Sequence, residues 1–280
     1  FVTDASTRVA GLQTGEYDIA SLIPQDMAEQ LDSDPNIVTD IAANSFPTLI
    51  FNKKARIFTD QKMRQAVNAA VNVEDMLIAA YGSDEFYVKD HALVKEEQTA
   101  WYSEEGKDVF ETYDPELAKQ LLEEAGYNGE EVIILTSREN MDEYKLTVVV
   151  EQALKNIGMN VKLEESDWGT VIEKREDENV WDIFFTSFAI RPMPTQYLFL
   201  NNEWFGWTDS EEIRTLSNNI LNASSAEEAQ GYTDELHRAF WDYLPVVKPG
   251  NKTSITALRS NIEGFQYLTG PIVWNVSKSE

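Results

Sequence analysis

Apolar positions along the chain recur with two periods, and each change of period marks an element. A spacing of three to four residues argues for a helix, and a short apolar run bounded by turn residues argues for a strand. Met63, Val67, Ala70 and Val71 recur at helical spacing behind a Thr59-Asp60 cap, and a second short helix over 73–80 stops at Gly82. Asp114 is an N-cap with Pro115 at the first helical position. Leu117, Leu121, Leu122 and Ala125 then form the expected buried stripe, closed by Gly126. Further helices are predicted over 144–157, 168–175, 210–221 and 226–243, and another from Pro24 to about Leu31. Strands are predicted over 17–20, 37–42, 49–51, 131–136, 159–163, 181–186 and 244–247, with a closing segment over 265–276. Residues 83–112 are irregular, aromatic and acidic, and read as a long surface excursion. The alternation of strand and helix over 131–186, with short joints, predicts an α/β layer with parallel pairing. No internal repeat or low-complexity linker interrupts the pattern.

Composition narrows the function classes. The 280 residues carry 23 basic and 49 acidic side chains, a formal charge of −26. With 42% hydrophobic residues, the chain has enough apolar mass for a core. The length fits one large domain or two ordinary ones. Phosphate binding needs clustered Lys and Arg, so nucleic acid is not a default partner, and an anionic membrane face is equally disfavoured. No run of 18 apolar residues exists; stretches such as 183–190 are too short to span a bilayer. Cysteine is absent, which excludes a thiol nucleophile, a disulfide framework and a Cys-ligated zinc site. His91 and His237 are the only histidines and stand in no metal motif, so no cofactor or metal is expected. The chain opens on Phe1 without a basic n-region or cleavage signal, which predicts a mature form or a piece of a longer protein. An acidic surface of this strength suits a secreted protein in a salty or alkaline medium.

Candidate chemistry is sparse. Glu164, Glu165 and Asp167 follow a strand, where α/β sites often lie. A carbohydrate-active hydrolase would need two such carboxylates at a set separation, one with a raised pKa. A solvated face is the better reading of these residues, as it is for Glu104-Glu105 and Glu130-Glu131. No GxGxxG, P-loop, GxSxG or HExxH pattern occurs. The aromatic cluster Trp204-Phe205-Gly206-Trp207 follows Asn201-Asn202 in an apparent loop, which suggests docking or a cleft wall. Arg191 follows an apolar strand, precedes Pro192-Met193-Pro194, and has no acidic residue near it in sequence. Its guanidinium could grip a ligand carboxylate or pair with a distant acid. Arg64 is placed on the polar side of its helix, in a structural role.

Several fragments, in order, resemble the family 5 extracellular solute-binding proteins, the peptide-binding subunits of ABC importers. Gly15-Glu16-Tyr17-Asp18-Ile19-Ala20 is similar to an early strand of that family. Phe51-Asn52, Phe58-Thr59-Asp60 and Met63-Arg64-Gln65-Ala66-Val67 resemble its "fN…pF.D.rvRqAi" segment. Tyr113-Asp114-Pro115 through Ala125-Gly126-Tyr127 resembles "yDpekAk.LL.eAGy". Ile157-Gly158-Met159 with Val161, Trp181-Asp182-Ile183 leading to Pro194-Thr195, Leu244-Pro245 and Pro271 to Val276 complete the series. The resemblance covers about the C-terminal half of a full member. The lipid-attachment segment, most of the first lobe and a small extra subdomain are expected to lie outside this sequence.

The resemblance implies an α/β fold, the second lobe of a two-lobed type II periplasmic-binding-protein architecture with remnants of the first lobe. Residues 54–243 would be the second lobe. Residues 1–53 and 244–280 would be crossing strands and first-lobe remnants. The implied function is capture of a peptide or related small solute between lobes that close on a hinge, and delivery to permease subunits, without catalysis. Contact with the membrane would come only through a lipid anchor, at the cell surface or in the periplasm. In peptide binders of the family, the loop after the "yDi" strand often carries an Asp for the peptide's α-ammonium; here that loop reads Ser187-Phe188-Ala189-Ile190-Arg191-Pro192-Met193-Pro194. Ser187, Phe188 and Arg191 are therefore expected to line the cleft, with Arg191 on an anionic group. Trp168 and Trp207 would add apolar walls, and Asn52 would sit at the hinge. Two other readings are a secreted carbohydrate-active hydrolase and a peptide-signal receptor or surface adhesin.

Overall fold

The computed structural model describes residues 2–267 and 270–279. The chain divides into two compact units, Phe1–Ser45 with Glu85–Val88 and Asn251–Glu280, and Phe46–Asp84 with Lys89–Gly250. In chain order the first elements are α1 (Ala5–Thr14), β1 (Ile19–Ile23), α2 (Gln25–Leu31), β2 (Ile37–Phe51), α3 (Gln61–Ala70), α4 (Val73–Tyr81) and β3 (Tyr87–Val88). Then come α5 (Lys107–Phe110), α6 (Pro115–Glu124), β4 (Glu131–Thr136), α7 (Met141–Asn156), β5 (Asn160–Glu165), α8 (Trp168–Lys174) and β6 (Ile183–Ala189). The last are α9 (Glu211–Asn222), α10 (Ala226–Tyr243), β7 (Val246–Val247), β8 (Asn251–Arg259), β9 (Ile262–Glu263), β10 (Gln266–Tyr267), β11 (Pro271–Ile272) and β12 (Ser277–Lys278).

The first unit is an antiparallel sheet with two helices. Strand β8 pairs with β1 on one side and with β2 on the other, from Ile37↔Arg259 to Ser45↔Lys252. Val9, Leu12, Ala28 and Leu31 from the helices meet Ile23, Ile255 and Ala257 from the sheet in one buried cluster. Gly11 lets α1 lie against Tyr17: a Cβ there would stand 2.3 Å from the ring. Sequence periodicity predicts separate strands over 37–42 and 49–51, but the structure has one 15-residue strand. The polar Asn44-Ser45 break is absorbed by a register shift between Ala43 and Ser45, and the Asn44 amide donates to Ser254 Oγ at 2.7 Å. The closing segment forms the short pairs β10–β11 and β12–β9, and its residues 268–269 lie outside the described residues.

The second unit is built on the strand order β2-β6-β4-β5, with β7 paired to β2. Strands β4, β5 and β6 are parallel, in the register Glu131↔Asn160 to Thr136↔Glu165 and Ile134↔Ile183. Helix α7 packs against all three, α3 packs on α6, and α9 on α10. This is the α/β layer with parallel pairing that the alternation predicts. The predicted span of β4 matches, and α6, α8, α9 and α10 fall within a residue or two of prediction, because each has local start signals. Asp114, Asp167, Ser210 and Ser225 all cap their helices through side-chain oxygens.

A buried carboxylate locks the amino end of β6. Asp182 is fully buried and takes both arms of Arg56, Nε to Oδ1 and Nη2 to Oδ2, each at 2.8 Å. The Ile133 N–H donates to its Oδ2 at 2.7 Å. Its backbone N–H donates to Ile133 O, and its carbonyl accepts from Asn52 N, both at 2.9 Å. One residue thus joins β2, β6 and β4. Arg56 holds φ at 65° for this, in a region that disfavours a side chain, and the ion pair offsets that strain.

Three sequence expectations are corrected here. Within the predicted surface excursion over 83–112, one stretch turns inward: His91, Ala92, Leu93 and Val94 are buried. Buried side chains distant in sequence hold it. Lys248 Nζ donates to Asp90 O at 2.5 Å, Leu93 N donates to His237 Nε2 at 3.2 Å, and Tyr197 Oη donates to Leu93 O at 2.6 Å. Arg64 is not on a polar face but is 1% exposed, donating to the carbonyls of Phe58, Tyr243 and Leu244. Its structural role stands; charge alone misplaced it. In α6 the buried positions are Ala118 and Leu122, whereas Leu117 is 37% exposed. Leu117 and Leu121 instead line the wall of a surface groove of about 530 Å³.

Two outcomes follow from these locks. Asp182→Ala leaves the Ile133 N–H and the Arg56 charge without their acceptor, and should lower the unfolding free energy by about 3 kcal/mol in urea titrations; a loss below about 1 kcal/mol would mean the pair is no stronger than a surface contact. His237 donates from Nδ1 to Thr233 O and accepts at Nε2, so it is buried as the neutral imidazole. Burial lowers its pKa from 6.5 to about 4. The unfolded chain therefore binds the extra proton between those values, and stability falls as pH falls from 6.5 to 4, by about 3 kcal/mol from this residue. His237→Gln keeps an acceptor for Leu93 and should flatten that part of a stability-versus-pH curve; an unchanged slope assigns it to other groups.

Candidate functional site

The parallel strands β4, β5 and β6 end at one edge of the sheet, where the loops 137–140, 166–167 and 190–194 emerge. Ligands of α/β sheets gather at this carboxyl edge, because the chain leaves the sheet there and starts helices whose N–H groups point outward. Four of the six candidate residues, Ser187, Phe188, Arg191 and Trp168, lie at this edge. Ser187 is exposed on β6 and donates to Glu143 Oε1, in the first turn of α7, at 2.6 Å. Phe188, one residue on, points the other way, as strand alternation requires. It is 9% exposed and packs into an aromatic cluster, its ring 5.1 Å from Phe199, 5.3 Å from Trp204 and 6.3 Å from Tyr197. Trp168 opens α8 with a half-buried indole, and its backbone N–H donates to Glu139 Oε2 at 3.1 Å.

Arg191 is exposed, but its backbone is held on both sides. Its N–H donates to Tyr197 Oη at 3.0 Å, and its carbonyl accepts from Gln98 Nε2 at 2.9 Å. Gln98 Nε2 also reaches Pro192 O at 3.3 Å, and Gln98 Oε1 accepts from Lys95 N at 2.9 Å. Tyr197 is 1% exposed, and burial pushes its hydroxyl pKa well up, so it remains a donor to Leu93 O. The segment 90–98 thus braces the loop that carries Arg191.

Asn52 and Trp207 stand at the opposite end. Asn52 is fully buried; its amide donates to Glu178 O and Trp181 O, and its Oδ1 accepts from Lys54 N and Ala55 N. Its polar atoms are used within the protein. Trp207 stacks on Trp181 at 5.6 Å, with Lys54 Nζ 5.2 Å from its ring centre. Its φ of 48° is set by the turn after Gly206, whose Cβ would stand 2.7 Å from Ile50 Cγ2. Both residues flank the amino end of β6, roughly 20 Å along the strand from Arg191. The two groups cannot touch one small solute.

The carboxylates at the carboxyl edge are engaged. Glu164 pairs with Lys174, and Glu165 takes Arg138 Nε at 2.8 Å. Asp167 caps α8, and the Thr170 hydroxyl and N–H hold its carboxyl below the usual range, the opposite of what a general acid needs. Sequence reasoning missed Tyr197, Gln98 and Glu143. Tyr197 lies three residues past Pro194, but nothing local marks its hydroxyl as a bridge. Gln98 fell in the segment read as surface.

Residues 1–209 match the family described as bacterial extracellular solute-binding proteins, family 5 Middle. The chain is 31% identical to the "Probable peptide ABC transporter periplasmic-binding protein y4tO" of Sinorhizobium fredii, over 99% of this chain and 55% of that protein. It is 26% identical to the oligopeptide-binding protein AppA of Bacillus subtilis, over 99% of this chain and 54% of that protein. In fold it is similar to the dipeptide binding protein from Pseudoalteromonas sp. SM9913 in complex with Met-Leu, with a TM-score of 0.75 at 21% identity, covering 100% of this chain and 57% of that one. The chain spans about half the length of the curated relatives it matches. Its fold is that of the type II periplasmic binding proteins, represented by the second lobe with remnants of the first. The chain belongs to the family 5 bacterial extracellular solute-binding proteins.

Proposed function

We propose that this chain is the ligand-holding part of a substrate-binding component of an ABC importer, which captures peptides or a related small solute and delivers them to permease subunits. The observation that carries this reading is the convergence at the carboxyl edge of β4, β5 and β6. Exposed Ser187 and Arg191 and half-buried Trp168 offer hydrogen bonds, charge and an apolar face, while Glu164, Glu165 and Asp167 are committed to ion pairs and a helix cap. Such a surface can hold a solute, and the three carboxylates that a hydrolase would draw on are not poised as acids. That disfavours the hydrolase reading. Relatives described as peptide- and oligopeptide-binding support the solute class.

Within this reading, Ser187, Arg191 and Trp168 are the contact residues, and Phe188 supports them from the aromatic cluster. Asn52 and Trp207 hold the other end of the sheet. We assign residues 54–243, which contain β4 to β6 and their helices, to the second lobe. Residues 1–53 and 244–280 would supply crossing strands and first-lobe remnants. The protein would work outside the cytoplasmic membrane, held to the cell surface by a lipid anchor or free in the periplasm.

Thermal unfolding of the full-length protein with random di- to pentapeptide pools tests the function. A ligand at a hundredfold excess over Kd adds about 2.7 kcal/mol of apparent stability, a readily measured rise in Tm. Trp168→Ala should reduce that rise while changing the Tm of the unliganded protein little. Absence of any rise with peptides at millimolar concentration would sink the peptide class.

A further inference from the structure

We infer that Arg191 binds a carboxylate of the solute and so selects acid-bearing ligands; this rests on the solute-binding reading above. Residues 183–202 contain a single charged side chain, Arg191, in a chain where 26% of residues are charged. The other arginines of the second unit are engaged: Arg56 with Asp182, Arg138 with Glu165, Arg214 with Asp209 and Arg238 with Glu105, with Arg64 on carbonyls and Arg175 over the Phe205 ring. Among the described residues, the Arg191 guanidinium has no hydrogen bond, ion pair or ring contact. With 49 acids to 23 bases, an exposed arginine without a carboxylate is the exception.

The freedom is confined to the side chain. Tyr197 and Gln98 fix the peptide groups on either side of the Arg191 Cα. Pro192 restricts Arg191 to extended backbone. A pinned backbone carrying an unspent guanidinium is a preorganised anion site, since little backbone entropy remains to be lost on binding. The planar fork matches the two oxygens of a carboxylate, and one positive charge matches one negative. Ser187, exposed on the same edge with its hydrogen given to Glu143, leaves its oxygen as an acceptor for a second polar group. Tyr197 and Gln98 act as positioning residues.

Equilibrium competition tests this. The full-length protein is incubated with equal amounts of three tripeptide pools: free-acid, C-amidated, and C-amidated with a central Glu. Retained peptides are then counted by mass spectrometry. The expected result is at least tenfold enrichment of one carboxylate-bearing pool over the plain amides, and which pool wins tells a terminal from a side-chain carboxylate. Arg191→Met should bring the ratio near one by lowering acid retention, with the unliganded Tm unchanged. Arg191→Lys should restore only part of the preference, because it keeps the charge without the fork. Tyr197→Phe should weaken the preference without abolishing amide binding. Equal retention of acids and amides by the wild type, or an unchanged ratio in Arg191→Met, overturns the assignment and leaves the solute-binding reading intact. Retention of no pool at all defeats both.

Discussion

The contact between Arg56 and Asp182 is the constraint on which the second unit depends. A buried carboxylate is costly unless each of its acceptor sites is answered. Here the answers come from a guanidinium fork and the Ile133 N–H, and the backbone groups of the same residue tie β2 to β4. A one-residue slip of β6 would leave the carboxylate facing apolar side chains, so the register of three strands is fixed at one point. The strained φ of Arg56 persists only because that pairing holds it.

Closing one end of the sheet in this way leaves the other end for function. At the amino edge, Asn52, Trp181, Trp207 and Gly206 bury their polar atoms or stack, and little there is left unsatisfied. At the carboxyl edge the order is inverted. Backbone groups are satisfied from below by Tyr197, Gln98 and His237, while side chains such as Arg191 and Trp168 face outward. Rigidity comes from buried polar contacts between segments distant in sequence, and the chemistry comes from what those contacts leave free. His237 belongs to this supporting layer.

How far each feature was legible in the sequence follows from the range of the forces that make it. Helices with local signals were readable: Asp114-Pro115 caps α6 through contacts two and three residues away. Strand β2 was not readable as one element, since its continuity depends on Ser254 answering Asn44 across 210 residues. The segment 90–98 looked exposed because it is short of periodicity, yet its burial is imposed by His237, Tyr197 and Lys248 from elsewhere in the chain. Arg64 was misplaced because charge predicts exposure only while no cage of carbonyls is available. For the site, Ser187 and Phe188 were both expected at the cleft, yet strand alternation turns Phe188 into the aromatic cluster. No local rule could reveal that Asn52 and Trp207 stand at the opposite end of β6 from Arg191, because parallel order is a property of the whole sheet.

The strong negative charge then acquires a definite consequence at the edge. A net charge of −26 repels an anionic solute at long range, but at physiological ionic strength that field decays over about 8 Å. Within contact distance the local arrangement decides. Residues 183–202 carry no carboxylate of their own, and the acids of the neighbouring elements are engaged: Glu165 by Arg138, Glu164 by Lys174, Asp167 in the cap of α8, Glu139 by the Trp168 backbone N–H and Glu143 by the Ser187 hydroxyl. The stretch where an arginine is held rigid and unpaired thus has no acid of its own, and the carboxylate beside it, Glu143, is taken by Ser187. Discrimination between solutes at such a place is short-ranged, and depends on whether a ligand brings two oxygens to a fork whose backbone is already fixed.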